Sequence, residues 1–308
     1  MYFYDPIYMP FSESREIPYI MKPYLNNVRA HGKIRINTDA FGLRSQVPGK
    51  KHGDKQTGEY RIAFLGNSVT FGVGVSTGET YPEVMEKTLN HLQHHCHVTV
   101  YNFAVSSYSI KEMVATLKYR VPEVKPDLMI MGLVIDDFNL KRTPQVDKWG
   151  YSTHGEASQL INQFPTLKLF LRKIHLSYLI RDLLSRTFMH QEIDYDPVDG
   201  KLPPIVSSSY KYINEFKELS ERLGYDYLVL TLPSAEGNGL QFSGIIKMMT
   251  NDKINYYDVS FLTPQYTYKE FHASKYDWHP SALVHNRIGT MLSKYIFDHF
   301  LRKACNGE

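Results

Sequence analysis

The run RIAFLGNSVTFGVG, residues 61–74, joins an apolar stretch to a sharp glycine-flanked turn that carries Ser68. A short apolar run closed by a glycine turn reads as a buried strand. An α/β sheet binds its ligands beyond the carboxyl ends of its strands, so a serine on this turn stands where chemistry is done. The same pattern recurs along the chain. Apolar runs at 98–103, 127–133 and 225–232, with a weaker one at 256–259, read as further strands. Between and after them, 81–93, 110–121, 210–223 and 282–301 carry apolar residues at three- and four-residue spacing, which predicts helices. Strands alternating with helices predict a parallel sheet of about five strands covered on both faces. The fold class is therefore α/β, a flavodoxin-like three-layer α/β/α sandwich.

Two regions fall outside that alternation. The first 60 residues are rich in Tyr, Pro, Asn and Gly and end in the polar run KKHGDKQTGE. They read as an N-terminal extension (1–60) that packs on the core of a single catalytic domain (61–308). Residues 141–208 form an insertion between the third and fourth strands. At its centre, FPTLKLFLRKIHLSYLIRDLLSRTF (164–188) is amphipathic and basic. Such a stripe more often packs on its own protein than on a membrane, and its position near the strand ends suits a lid or wall.

A serine hydroxyl is a weak nucleophile until a base takes its proton, and that base needs an acid to fix its tautomer. Near the other end of the chain, YDWHPS (276–281) supplies Asp277 and His279 as that pair. Each residue also has a purely structural reading. Ser68 is a natural cap for the helix after a βα turn. Pro280 and Ser281 suit a helix start, and Asp136 and Asp137 suit a solvated pair at a strand end.

The turn GNS at 66–68, YNFAVSSYS at 101–109, MGLVIDDFN at 131–139 and YDWHPS together resemble, in order, the four blocks of the SGNH/GDSL hydrolases. The segment NNVRAHGKIRINTDAFGLR (26–44) is similar to the lead-in of bacterial members associated with surface polysaccharides. The resemblance implies a flavodoxin-like sandwich in which Ser68 is the nucleophile, His279 the base and Asp277 its acid. It places Asp277 two residues before His279, where the family usually has its acid three before, a position held here by Tyr276. It implies oxyanion donors at the backbone N–H of Ser68, at Ser107 in place of the family's glycine, and at Asp136 in place of its asparagine.

A carboxylate does not donate, and losing one such donor costs on the order of 3 kcal/mol of transition-state stabilisation. Two unit negative charges about 4 Å apart repel by roughly 4 kcal/mol at an effective dielectric near 20. Either Asp136 is protonated, or other donors serve, or the site is not an efficient esterase. Asn139, three residues further on, is an alternative donor. The activity implied is hydrolysis of O-acyl esters, carried by a small molecule or a glycan, through an acyl-serine intermediate. An O-acyltransferase using the same residues, or a catalytically impaired glycan-binding module, are the alternatives. Flavin or nucleotide binding fits less well, because GNSVTFG has no Walker lysine.

Composition narrows the remaining classes. A net charge of +3 with no dense Lys/Arg stripe argues against nucleic acid. No apolar run approaches the roughly 20 residues of a membrane span, and MYFYDPIYMPF lacks the regions of a signal peptide. The chain reads as soluble with its location unassigned, although the resemblance brings in relatives that are often exported or anchored. Twenty-three tyrosines suit sugar stacking and ordinary packing alike. Cys96 and Cys305 make no disulfide framework. The cluster His91, His94, His95, Cys96 and His97 has the i, i+4 spacing of a zinc pair, but histidines at a helix C-terminus are the simpler account. No cofactor or metal is expected.

Overall fold

The computed structural model describes residues 6–30, 34–92, 95–141, 144–146, 150, 152–153, 204–234, 242–275 and 277–306. The segment 164–188 read as a lid or wall lies outside the described residues, as does most of 141–208. Five parallel strands form the central sheet: β1 (Glu59–Leu65), β2 (His97–Asn102), β3 (Leu128–Leu133), β4 (Asp226–Thr231) and β5 (Tyr256–Asp258). Their spatial order is β2-β1-β3-β4-β5. That is the flavodoxin-like order, whose direction reverses between β1 and β3. Ser68 follows β1 directly and so stands at the reversal.

β1 is a continuous apolar run because both of its faces are covered. Ile62 and Phe64 pack with Tyr81, Met85 and Leu89 of α2 (Tyr81–His91) and with Val284, Ile288 and Leu292 of α7 (Ala282–Ile296). Ala63 and Leu65 face α3 (Ile110–Tyr119), α4 (Lys211–Arg222) and α5 (Ser243–Asn251) through Met113, Leu117, Phe216 and Ile245. The sequence reading assigns no element to α5. Its window opens on a Gly-, Asn- and Gln-rich stretch, which masks the Ile245 and Met249 pair that the helix buries.

Two more short elements matter for the site. The helix α1 (Ser68–Phe71) follows β1, and α6 (Tyr268–Phe271) leads into a hairpin of β6 (His272–Ser274) and β7 (Asp277–Pro280). The last helix, α8 (Arg302–Asn306), continues α7 through a wider turn at 297–301.

The N-terminal residues contribute two short antiparallel ladders, Tyr8–Met9 with Ile20–Met21 and Val28–Ala30 with Ile34–Ile36. Ile17, Tyr19, Met21 and Ile36 are buried against Phe71, Val73, Val105 and Tyr108. The segment therefore covers both the turn after β1 and the loop after β2. One correction concerns the cysteines. Cys96 and Cys305 form a disulfide across 209 residues of sequence, tying the start of β2 to α8. Sequence separation hid a pairing that the return of the C-terminal helix to the edge strand creates.

Candidate active site

The turn after β1 is built from its neighbours inward. Asn67 caps α1: its side-chain oxygen accepts from the Val69 N–H at 2.8 Å. Ser68 is therefore the first residue of the helix rather than its cap, which removes the structural reading of that serine. The other end of α1 closes on Gly72 at φ +86, where the Gly72 N–H reaches the Ser68 and Val69 carbonyls. Gly66 is required for a different reason, since a Cβ there would come within 2.1 Å of Thr70 Oγ1. Ser68 itself is half-buried.

Three groups from outside the turn hold it. The Asn67 amide donates to Asp137 Oδ1 at 2.6 Å, and Asp137 Oδ2 accepts from the Val134 N–H at 2.9 Å. Asp137 is fully buried, so the solvated-pair reading fails for it. The Asn102 amide donates to the Thr70 carbonyl at 2.9 Å while its oxygen accepts from the Ala104 N–H. From the N-terminal segment, the buried Arg44 guanidinium donates to the carbonyls of Phe71, Gly72 and Val75 at 2.9, 2.6 and 2.7 Å. A cation at this position complements the carbonyl end of α1.

β7 carries the other two candidates. Alternation along a strand puts residues i and i+2 on one face, which is why an acid two positions before His279 reaches it. Asp277 Oδ1 lies 2.6 Å from His279 Nδ1 and also accepts from the His279 N–H at 3.1 Å. With Nδ1–H donating to the carboxylate, Nε2 keeps its lone pair for a proton. Both side chains are partly open to solvent.

β7 packs against α1, and the loop after α1 approaches the acid closely. Gly74 has φ +83, and a Cβ there would meet Asp277 Oδ2 at 3.0 Å and Ala273 Cβ at 2.5 Å. Among the described residues no hydrogen bond joins Ser68 Oγ to His279, and such bonds commonly tighten only when substrate is bound. After the strand, Ser281 caps α7, as its structural reading requires, and Pro280 closes β7 rather than opening the helix.

Ser107 sits at φ +73, the left-handed region that favours glycine. The backbone thus takes the conformation a glycine would, with a serine in its place. Asp136 is half-buried on the turn Ile135–Phe138 that follows β3. The Asn67–Asp137 bond draws that turn against α1. Asn139, the alternative donor, turns its side-chain oxygen to the Lys141 N–H at 3.1 Å.

Behind the site, His285 is fully buried and its Nδ1 accepts from the Tyr81 N–H at 3.1 Å. Burial, with the nearby Arg44 guanidinium adding to it, lowers its pKa from 6.5 to about 3. The neutral ring is therefore a fixed part of the α2–α7 packing.

Sequence reading missed Asn67, Asn102 and Asp137 as supports, although each lies inside a quoted block. It missed Arg44, the last residue of the quoted segment 26–44, because its partners are backbone carbonyls distant in sequence. Of the histidine cluster, Cys96 is in the disulfide, His91 Nδ1 lies 2.6 Å from the Lys87 carbonyl, and His94 lies outside the described residues. Among the described residues, no group of three His, Cys, Asp or Glu side chains gathers to hold a metal ion. No helix among them is long and apolar enough to cross a membrane.

No protein-family model matches the chain, and no curated protein matches it. Solved structures do. A lipase/acylhydrolase from Enterococcus faecalis is similar over 77% of this chain and 95% of its own, at 10% identity and TM-score 0.46. A GDSL-like lipase from Bacteroides thetaiotaomicron is similar over 80% of this chain and 92% of its own, at 12% identity and TM-score 0.44. A two-domain esterase active on acetylated mannans is similar over 79% of this chain and 50% of its own, at 12% identity and TM-score 0.48.

Proposed function

We propose that this chain is a serine hydrolase of SGNH type that cleaves O-acyl esters, with acylated carbohydrate as its substrate class. The observation that carries the proposal is the Asp277–His279 pair at 2.6 Å on a strand packed against α1, together with the capping of α1 by Asn67. That cap leaves the Ser68 hydroxyl unneeded for structure.

In the proposed reaction His279 Nε2 takes the Ser68 proton while Asp277 holds Nδ1–H and stabilises the imidazolium. Ser68 Oγ attacks the ester carbonyl, and the backbone N–H groups of Ser68 and Ser107 receive the developing oxyanion. Collapse of the tetrahedral intermediate breaks the bond to the alcohol, which leaves with the proton held by His279. Water then attacks the acyl-serine, with His279 again as base, and releases the acid. A sugar hydroxyl in place of water turns the same steps into acyl transfer. The sugar preference rests on the resemblance of residues 26–44 and of the four blocks, and on fold-level analogy.

The test is hydrolysis of p-nitrophenyl acetate and butyrate between pH 5 and 9, where a histidine base titrates. Activity that disappears in both Ser68→Ala and His279→Ala supports the proposal. A carboxylate at Asp136, where an amide donor is expected, favours one second reading, a glycan-binding module with little turnover. That module binds acylated oligosaccharide in calorimetry without releasing acid.

A further inference from the structure

We infer that Tyr19 is a positioning residue that fixes the orientation of the Ser106–Ser107 peptide and so aims the Ser107 N–H, an inference that rests on the oxyanion role proposed above. The loop after β2 makes a four-residue turn closed by the Tyr108 N–H on the Val105 carbonyl. Ser107, its third residue, has φ +73, and Ser106 is not among the residues with positive φ. That combination is a type II turn, which differs from type I by a flip of the central peptide. Here the central peptide is the one that joins Ser106 to Ser107.

The flip decides where the Ser107 N–H points. An L residue is disfavoured at this φ relative to glycine, so the turn on its own leans towards the flipped form. Tyr19 opposes the flip. Its hydroxyl donates to the Ser106 carbonyl at 2.9 Å from 87 residues away in sequence. The C=O and N–H of one planar trans peptide point in opposite directions, so the bond that holds the carbonyl also holds the N–H.

The tyrosine itself cannot turn away. It is fully buried, with its ring centroid 4.9 Å from Tyr8 and 5.8 Å from Tyr108. Its backbone carbonyl accepts from the Tyr108 hydroxyl, so the two segments are joined in both directions. The Tyr8 hydroxyl is hydrogen-bonded to the side chain of Ser106. Flipping the peptide would break the Tyr19–Ser106 hydrogen bond at a partly buried site, where water replaces a lost partner only in part. Polarising the carbonyl also strengthens the N–H on the same peptide as a donor.

Tyr19→Phe removes one oxygen and keeps the ring. The expected result is a fall in kcat of about tenfold on p-nitrophenyl acetate, the worth of about 1.4 kcal/mol, with KM within about twofold. In 15N–1H spectra the Ser107 amide peak shifts or splits, while peaks from β1 and β3 stay in place. Ser107→Gly accepts positive φ without help, so Tyr19→Phe added to Ser107→Gly lowers kcat by less than about twofold, which is rescue in a double-mutant cycle.

An unchanged kcat with an unmoved Ser107 peak overturns the inference while leaving the hydrolase reading intact. A fall in kcat that is equally large on the glycine background overturns it too, since that loss is a general structural one. Absence of hydrolysis in the wild type sinks the hydrolase reading instead, and the Ser107 peak then decides alone whether Tyr19 holds that peptide.

Discussion

Replacing Arg44 by methionine keeps most of the buried stem and removes the guanidinium that holds the turn after Ser68. Three hydrogen bonds go with it, to the carbonyls of Phe71, Gly72 and Val75. Hydrogen bonds from a charged donor contribute roughly 2 kcal/mol each, about 6 kcal/mol for the set. Against this, burial lowers the Arg44 pKa from 12.5 to about 10. At 1.36 kcal/mol per unit, that shift opposes the charged form by about 3 kcal/mol.

The difference predicts that Arg44→Met loses about 3 kcal/mol of unfolding free energy in urea titrations. The sign with pH is definite. A base whose folded pKa is lowered carries a constant penalty while it stays charged in both states, so the loss is flat from pH 7 to 9, above the range in which His285 responds. Because the lost bonds converge on the carbonyl end of α1, the second-order rate of Ser68 labelling by a fluorophosphonate falls as well, by about tenfold for a misplaced nucleophile. Arg44→Lys, which keeps the charge but reaches fewer carbonyls, falls between. A loss under about 1 kcal/mol with an unchanged labelling rate would refute the reasoning, since a single net hydrogen bond is worth that much.

Other expectations follow from the same geometry. His285 is neutral in the fold, with a pKa lowered from 6.5 to about 3, and takes up a proton on unfolding, so its contribution is complete above pH 6.5 and is lost as pH falls towards 3. About 2 kcal/mol is gone by pH 5. His285→Gln keeps an acceptor for the Tyr81 N–H and removes that share of the acid sensitivity; identical pH dependence in both proteins would contradict the assignment. The Cys96–Cys305 disulfide closes a loop of 209 residues, and reduction by dithiothreitol is expected to lower stability by about 5 kcal/mol on the chain-entropy model. Urea midpoints that do not move on reduction count against it. Asp136→Asn exchanges a carboxylate for an amide donor and should raise kcat/KM on p-nitrophenyl acetate by about tenfold or more; a fall would assign the acid a positive role.

How much of this was legible in the sequence depends on the distance over which each feature is made. β1 and its neighbours are readable because a parallel strand covered on both faces needs an uninterrupted apolar run, which Ile62, Ala63, Phe64 and Leu65 provide. The Asp277–His279 pair is readable for the opposite reason, since two residues on a strand form it locally. The N-cap is half legible: a polar residue is expected there, and local pattern does not say that Asn67 rather than Ser68 fills the role. Arg44 and Tyr19 are not readable, because their partners lie 27 to 31 and 87 residues away and are backbone carbonyls, which carry no side-chain signature. The disulfide is the extreme case, visible only once α7 and α8 return to the edge strand. At Ser107 the sequence shows a serine where the resemblance implies a glycine, and the φ of +73, a glycine-like conformation, is visible only in the fold.

The central claim is that Ser68 is a nucleophile activated by His279, and intact-protein mass spectrometry with peptide mapping after exposure to a fluorophosphonate tests it most directly. The account predicts one phosphonyl adduct per chain on the peptide that contains Ser68, no adduct in Ser68→Ala, and strongly slowed labelling in His279→Ala at neutral pH. An unlabelled wild type, or an adduct on a different residue, would contradict it.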